Sequence, residues 1–224
     1  MPRSRRHAPG GYIYHALNRA VARLPLFKKE RDYLAFFQVL DQALALHPIR
    51  ILSYCVMPNH WHFVLWPRHD GEMTDFLRWL THTHTMRWHA RHHTVGTGHL
   101  YQGRFKAFPV QNDEHLFALL RYVERNPLRS GLVKKAEDWP WSSLWYRRYV
   151  NPTMRVSPWP LRIPADWIDQ VNRPQTDAEL EALRRSVQRG SPYGGERWQK
   201  MTAAKLNLEF TLRPPGRPKK AESD

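Results

Sequence analysis

The sequence predicts an α+β domain of the ferredoxin-like, RRM-like kind, with an antiparallel sheet in split β-α-β order. Three observations predict it. Short β-branched and aromatic runs recur before residue 111, each bounded by turn residues. Long stretches of helical periodicity lie between them, so the order reads β-α-β-β-α-β. A further helical stretch with a strong leucine stripe follows the last strand.

Tyr12 to Leu17 follows a Gly-Gly pair and reads as the first strand. Tyr33, Phe37, Leu40 and Leu44 recur at helical spacing, and Pro48 stops the run, so a helix is expected over 30–47. Ile51 to Met57 and His60 to Trp66 are two strands joined at Pro58-Asn59, a pair of turn formers, and so read as a hairpin. A second helix is expected from Thr74 to about Ala90, and a fourth strand over Arg104 to Val110. The third helix runs from Asp113 to Asn126, with Asn112 or Asp113 as its cap and Pro127 beyond its end. In such an arrangement helices cover one sheet face and the other is open. Past Val150 the composition shifts: Pro152, Pro158, Pro160, Pro164 and Pro174 mark an extended segment, held to the domain by Trp159 and Trp167. Thr176-Asp-Ala-Glu starts another helix to about Arg189, and Gly194-Gly195 separates it from a last one over 196–206. That pair around a turn is a loose match to a helix-turn-helix. The expected organisation is a basic tail (1–10), a main domain (11–150), a Pro-rich connection (151–175), a helical extension (176–212) and a second basic tail (213–224).

Composition narrows the function. The 224 residues carry a formal charge of +15 and are 42% hydrophobic, ample for a packed core and unlike a disordered chain. One cysteine excludes a disulfide framework and a multi-cysteine zinc site, and suits a reducing cytoplasm. The longest uncharged run, 51–67, is broken by Pro58, Asn59 and histidines, so no membrane span is expected. Clustered cations point to a polyanionic partner: three arginines in the first ten residues, and Arg213, Arg217, Lys219 and Lys220 near the end. Arg104-Phe105-Lys106 sets cations beside a ring, a pairing that can neutralise phosphates and stack on bases.

His60-Trp61-His62 is the sharpest local feature. On a strand, residues two apart share a face, so both imidazoles converge while Trp61 packs opposite. Two neutral imidazoles can hold a divalent metal. His82-Thr-His84 has the same spelling but lies in a predicted helix, where the two side chains diverge. With 13 histidines in the chain, a bare His-x-His alone equally fits a coincidence. On the third helix Leu116, Leu119, Leu120 and Val123 form the apolar stripe. Tyr122 and Asn126 are one turn apart on a flank roughly 90° from it, which turns them out of the core. Alone, they equally fit a boundary tyrosine and an ordinary helix-ending asparagine. Together the features make chemical sense. A metal held by two imidazoles and an amide oxygen leaves positions open for phosphate oxygens. A nearby tyrosine could attack the phosphorus covalently, with Arg121 or Arg125 favouring the phenolate.

Four segments extend the pattern: Tyr14-His15-Ala-Leu-Asn18-Arg19, Met57-Pro-Asn-His60-Trp61-His62-Phe, Gly98-His-Leu-Tyr-Gln-Gly-Arg104-Phe-Lys106, and Arg121-Tyr122-Val-Glu-Arg-Asn126-Pro127-Leu-Arg-Ser-Gly131-Leu-Val. Trp139-Pro-Trp-Ser142-Ser143, Gly190-Ser-Pro-Tyr-Gly194 and the Pro-Pro-Gly-Arg-Pro-Lys ending belong with them. In order and spacing the chain resembles the HUH single-tyrosine transposases, and more closely the REP-associated tyrosine transposases of bacteria, from about residue 10 to 220. The resemblance implies that 11–150 is an HUH catalytic domain with His60 and His62 as ligands for Mg²⁺ or Mn²⁺, and Tyr122 as nucleophile. Asn126 stands where relatives place an amide ligand, often Gln. It further implies single-stranded DNA carrying a hairpin as substrate, cleaved to a 5′-phosphotyrosine and a free 3′-OH and rejoined without ATP. Arg19, Arg104, Lys106, Arg121, Arg125 and the four tail cations are then DNA contacts, and the extension helps grip the hairpin. A cytoplasmic, nucleoid-associated monomer is expected, the dimer of insertion-sequence relatives being the alternative. The competing function is a non-catalytic nucleic-acid-binding module on the same scaffold.

Overall fold

The structure is a computed structural model and describes residues 8–149 and 155–213. Four strands form one antiparallel sheet in the order β2-β3-β1-β4: β1 (Ile13–Arg19), β2 (Arg50–Met57), β3 (His60–Trp66) and β4 (Lys106–Val110). Helices α1 (Glu30–Leu46) and α2 (Glu72–His92) are the two crossovers, as the periodicity predicts. The class is α+β with the split β-α-β order. Among the described residues, no helix is long and apolar enough to cross a membrane.

The sheet divides two cores by side-chain alternation. Tyr14 and Ala16 of β1, and Trp61, Phe63 and Leu65 of β3, join Phe36, Leu40, Phe76 and Leu80 of α1 and α2 in one core. Ile13, Val64, Cys55 and Phe108 point the other way, against Leu116, Leu119, Leu120 and Val123 of α3 (Glu114–Glu124). The second face is therefore not open, contrary to the sequence expectation. α3 packs on it, followed by α4 (Asn126–Arg129), α5 (Ser143–Tyr149), α6 (Trp167–Asn172) and α7 (Asp177–Arg189). Asp113 caps α3, its Oδ1 accepting from the His115 N–H at 2.9 Å.

Glu124 holds this second layer in place. It is 0% exposed. Its Oε1 accepts from Ser53 Oγ of β2 at 3.0 Å, from Ser143 Oγ of α5 at 2.7 Å and from Arg147. Its Oε2 accepts from Trp167 Nε1 of α6 at 2.8 Å. Trp159 Nε1 donates to Leu52 O at 2.7 Å, so both tryptophans of the Pro-rich stretch bind it to the domain. That stretch is not extended throughout: with Trp167 and Val171 buried on one side, 167–172 closes into α6.

The C-terminal helices do not stand apart. Tyr193 N donates to Pro109 O and Gln111 N to Tyr193 O, both at 2.9 Å, so the chain bridges to the end of edge strand β4. Gly195 N donates to Gln111 Oε1 at 2.8 Å. A Cβ on Gly194 would sit 2.6 Å from Gln111 Oε1 and from the Trp198 ring, so glycine alone permits this approach. α7 packs on β4, and α8 (Glu196–Leu206) follows it. Much of the edge is thereby covered, which protects unpaired backbone groups.

The buried groups carry two consequences for stability. Removing Glu124 strands the Arg147 guanidinium and three further donors, so Glu124→Ala should cost about 3 kcal/mol in urea unfolding; a cost under about 1 kcal/mol would mean the cluster is idle. His84 is buried with its Nδ1 2.7 Å from Tyr101 Oη. Burial, then the neighbouring His92, pushes its pKa down to about 3. The unfolded chain takes up that proton near 6.5 while the folded one does not, so stability falls as pH drops from 6.5 toward 3. His84→Phe should flatten that slope by up to about 1.4 kcal/mol per pH unit, read from urea midpoints at pH 6 and 5. An unaltered slope would contradict this.

Candidate active site

The odd-numbered side of β1 and the even-numbered side of β3 face α3. This brings His15, His60 and His62 together beneath the helix that carries Tyr122. β3 is an inner strand, with His60 paired to Arg19 and His62 to Leu17. The two imidazoles of the His-x-His lie 4.9 Å apart between ring centroids, nearly perpendicular. His84, of the second His-x-His, is in the opposite core, while His82 is exposed.

Tyr122 lies edge-on to His62 at 6.0 Å and to His15 at 6.3 Å between ring centroids. It does not point out of the core, as the helical angle suggests, but is 8% exposed, because α3 lies flat on the sheet and buries this flank too. Its hydroxyl has no hydrogen bond among the described residues, and it is not one of the polar atoms sealed from solvent without a partner. Asn126 is 4% exposed, one helical turn further on. Arg125 keeps near-helical backbone angles (φ −80°, ψ −8°), so α4 continues the line of α3 past Pro127.

The hydrogen bonds select which nitrogens remain free. His60 Nδ1 donates to Asn59 Oδ1 at 2.6 Å, which leaves its Nε2 a lone pair. His62 Nδ1 lies 2.9 Å from His15 Nε2, again leaving His62 Nε2 without a protein partner among the described residues. Burial, then the cations Arg19 and Arg129, pushes the His60 pKa down to about 3. Burial likewise holds His62 well below its usual value and His15 at about 3. All three rings are neutral at pH 7, the form that ligates metal. Neutral imidazoles and an amide oxygen are donor types that a divalent metal accepts, and Asn126 is the amide nearest Tyr122 along the helix. Asp113, Glu114 and His115 form a separate group with donor atoms within 4.8 Å, but Asp113 is spent on capping α3 and on His115 Nδ1 at 2.8 Å.

The predicted cations separate into two sets. Arg19, Arg104 and Lys106 line one groove of about 350 Å³ with Leu17, Asn18, Gly103 and Val187 of α7. It adjoins the site, because Arg19 is the strand partner of His60. Arg121 and Arg125 instead turn toward α6 and its loop. Arg121 reaches Pro174 O at 3.5 Å and Glu179, and Arg125 donates to Val171 O at 3.1 Å and to Asn172 O. Arg213 is exposed, while Arg217, Lys219 and Lys220, with residues 1–7 of the N-terminal tail, lie outside the described residues.

Two residues at the site lie in the segments quoted above but have no role in the sequence prediction. The place of His15 at the site comes from the β1–β3 register, which sets it diagonal to His62. Arg129 is seven residues beyond Tyr122, and a helix ended at Pro127 hides it.

The chain thus sets neutral paired histidines under a tyrosine-bearing helix on a split β-α-β sheet. The family model described as "Transposase IS200 like" matches residues 10–126, and the chain belongs to that family. A protein assigned as a REP-associated tyrosine transposase in Haemophilus influenzae is 25% identical over 138 residues, covering 57% of this chain and 77% of the relative. The REP-associated tyrosine transposase of Escherichia coli is 27% identical over 96 residues, 43% of this chain; the match spans about half (54%) of that relative's length. A solved structure, of a REP-associated tyrosine transposase bound to a REP hairpin, superposes with TM-score 0.50 at 21% identity, over 72% of this chain and 95% of that one. It supports the fold.

If His15 is the acceptor that keeps the His62 proton on Nδ1, His15→Phe should weaken Mn²⁺ binding about 10-fold or more in an EPR titration. Unchanged affinity would remove His15 from that role.

Proposed function

We propose that this chain is a metal-dependent single-strand DNA transposase that cleaves and rejoins hairpin-bearing DNA through a 5′-phosphotyrosine. The observation that carries the reading is the stacking of one stripe of the α3–α4 line on one sheet face. Tyr122 lies 6.0 Å from His62, with Asn126 a turn beyond. Tyr122 Oη attacks the phosphorus and its proton leaves to solvent. The bond from phosphorus to the 3′-oxygen breaks, and that oxygen takes up a proton to become the free 3′-OH. Rejoining is the reverse, and the covalent bond conserves the energy of the linkage. Mg²⁺ or Mn²⁺, held by His60 Nε2, His62 Nε2 and Asn126 Oδ1, would supply Lewis-acid charge at the phosphate. The protein's own part is to hold these groups rigidly on a buried face and to exclude competing protonation of the imidazoles.

The partner is single-stranded DNA with a palindromic hairpin. The groove of Arg19, Arg104 and Lys106 beside His60 supports this, being cationic and open. The hairpin held by the structural relative supports it too. The basic tail and the C-terminal extension add phosphate contacts. We take a monomer as the working form, with the dimer as the alternative; the contact of Glu124 with Ser53, which ties the tyrosine helix to the sheet, supports it.

Incubation with labelled hairpin DNA and Mn²⁺ should give an adduct that survives denaturation, and Tyr122→Phe should abolish it. Cleavage untouched by Tyr122→Phe would instead make water the nucleophile. Binding without cleavage in any hairpin context would favour the non-catalytic module.

A further inference from the structure

A guanidinium without an anion sits at the centre of this site. Arg129 is half-buried, and among the described residues it forms no ion pair. Its carbon lies 4.3 Å from the centroid of the Tyr122 ring. Its Nη2 donates to Asn126 Oδ1 at 3.0 Å. Its Nη1 is sealed from solvent and has no partner among the described residues. A desolvated N–H donor left unmatched is costly, and such costs persist where a ligand completes the site. Arg121 and Arg125, the other cations of this helical line, face away from Tyr122: Arg121 reaches Pro174 O and Glu179 with its Nε left unpartnered, and Arg125 donates to Val171 O and Asn172 O.

The placement follows from helix geometry. Residues 122, 126 and 129 are spaced i, i+4, i+7, one stripe of a helix. The stripe survives Pro127 because Arg129 N still donates to Arg125 O at 2.9 Å and Ser130 N to Asn126 O at 3.0 Å. The Asn126 amide is also polarised by this contact. Its Oδ1 accepts from Arg129, and the reverse orientation would set an NH₂ against a guanidinium.

We propose that Arg129 is a catalytic residue of the strand cleavage: DNA binding uncovers its guanidinium, and the Nη1–H donates to a non-bridging oxygen of the phosphate that Tyr122 attacks. Its Nη2 meanwhile fixes the Asn126 carbonyl as the end of the amide that faces the guanidinium's donors. This rests on the transposase reading above. Arg129 gains and loses no proton. The new bond is Tyr122 Oη to phosphorus, the broken one is phosphorus to the 3′-oxygen, and the guanidinium offsets the charge that accumulates on the non-bridging oxygens between the two.

The test uses full-length protein, Mn²⁺ and a hairpin oligonucleotide that the wild type cleaves at a mapped linkage. Single-turnover rates are measured for that linkage as phosphate and as methylphosphonate, in which a neutral methyl replaces one non-bridging oxygen. Arg129→Met should slow the phosphate substrate about 100-fold, the loss typical of one removed oxyanion donor. On methylphosphonate the gap between wild type and variant should shrink to under about 10-fold, as coupling between the altered groups demands. Arg129→Lys, which keeps the charge, should recover part of the phosphate rate. An equal loss on both linkages would mean that Arg129 acts only through the fold or Asn126, and no loss on phosphate would remove it altogether; either overturns the proposal. A wild-type protein that forms no Tyr122-dependent adduct would instead remove the reading beneath it, and the proposal with it.

Discussion

A carboxylate with no exposure to water has to be satisfied from every side, and Glu124 is satisfied from three different elements. Ser53 reaches it from the sheet, Ser143 and Arg147 from α5, and Trp167 from α6. Each of these contacts would be lost by a small slide or roll of α3, so the carboxylate fixes the helix in both directions. Tyr122 and Asn126 flank Glu124 by two residues on either side, on the opposite part of the helix surface. Whatever holds Glu124 therefore holds them, and the distance from the phenol to the histidines is a consequence of a cluster they do not touch.

The second constraint is the low-dielectric face under the helix. Burial keeps His15, His60 and His62 neutral, and the formal charges that act on His60 are those of Arg19 and Arg129. Neutral imidazoles beside two guanidiniums disfavour a bound proton and favour an anion. The Nδ1 contacts of His60 and His62 engage one nitrogen of each ring and leave each Nε2 without a partner among the described residues. His15 is thus the strand residue whose ring meets the Nδ1 of its diagonal neighbour.

The C-terminal extension belongs to the same arrangement of surfaces. Its bridge to β4 covers an edge that would otherwise expose backbone donors, and it carries Val187 to the wall of the cationic groove. An extension that behaved as a separate module would leave that groove open on one side. The sequence suggests a loosely matched helix-turn-helix here; the backbone contacts at Pro109, Gln111 and Tyr193 make it part of the main body.

Much of this is legible from residue order. Alternation in HWHFVLW sets both imidazoles on one side, the Pro-Asn turn makes the hairpin, and the leucine stripe on the third helix marks its buried face. The covering of the second sheet face is not legible: Trp159 and Trp167 announce that the segment from Arg155 onward folds back, but not which face it covers. Nor is α6, because the surrounding prolines mask a two-residue apolar pattern. Arg121 and Arg125 read as phosphate contacts from charge and proximity along the chain; only packing against α6 turns them to carbonyl oxygens. What the sequence by itself determined was the element order, the facing of His60 and His62 and the spacing of Tyr122 and Asn126, because those follow from fixed helical and strand periods. Only the tertiary structure decided that His15 lies diagonal to His62 and that Arg129 overlies the phenol. Strand register and the continuation of a helix through a proline depend on contacts made by residues distant in the chain.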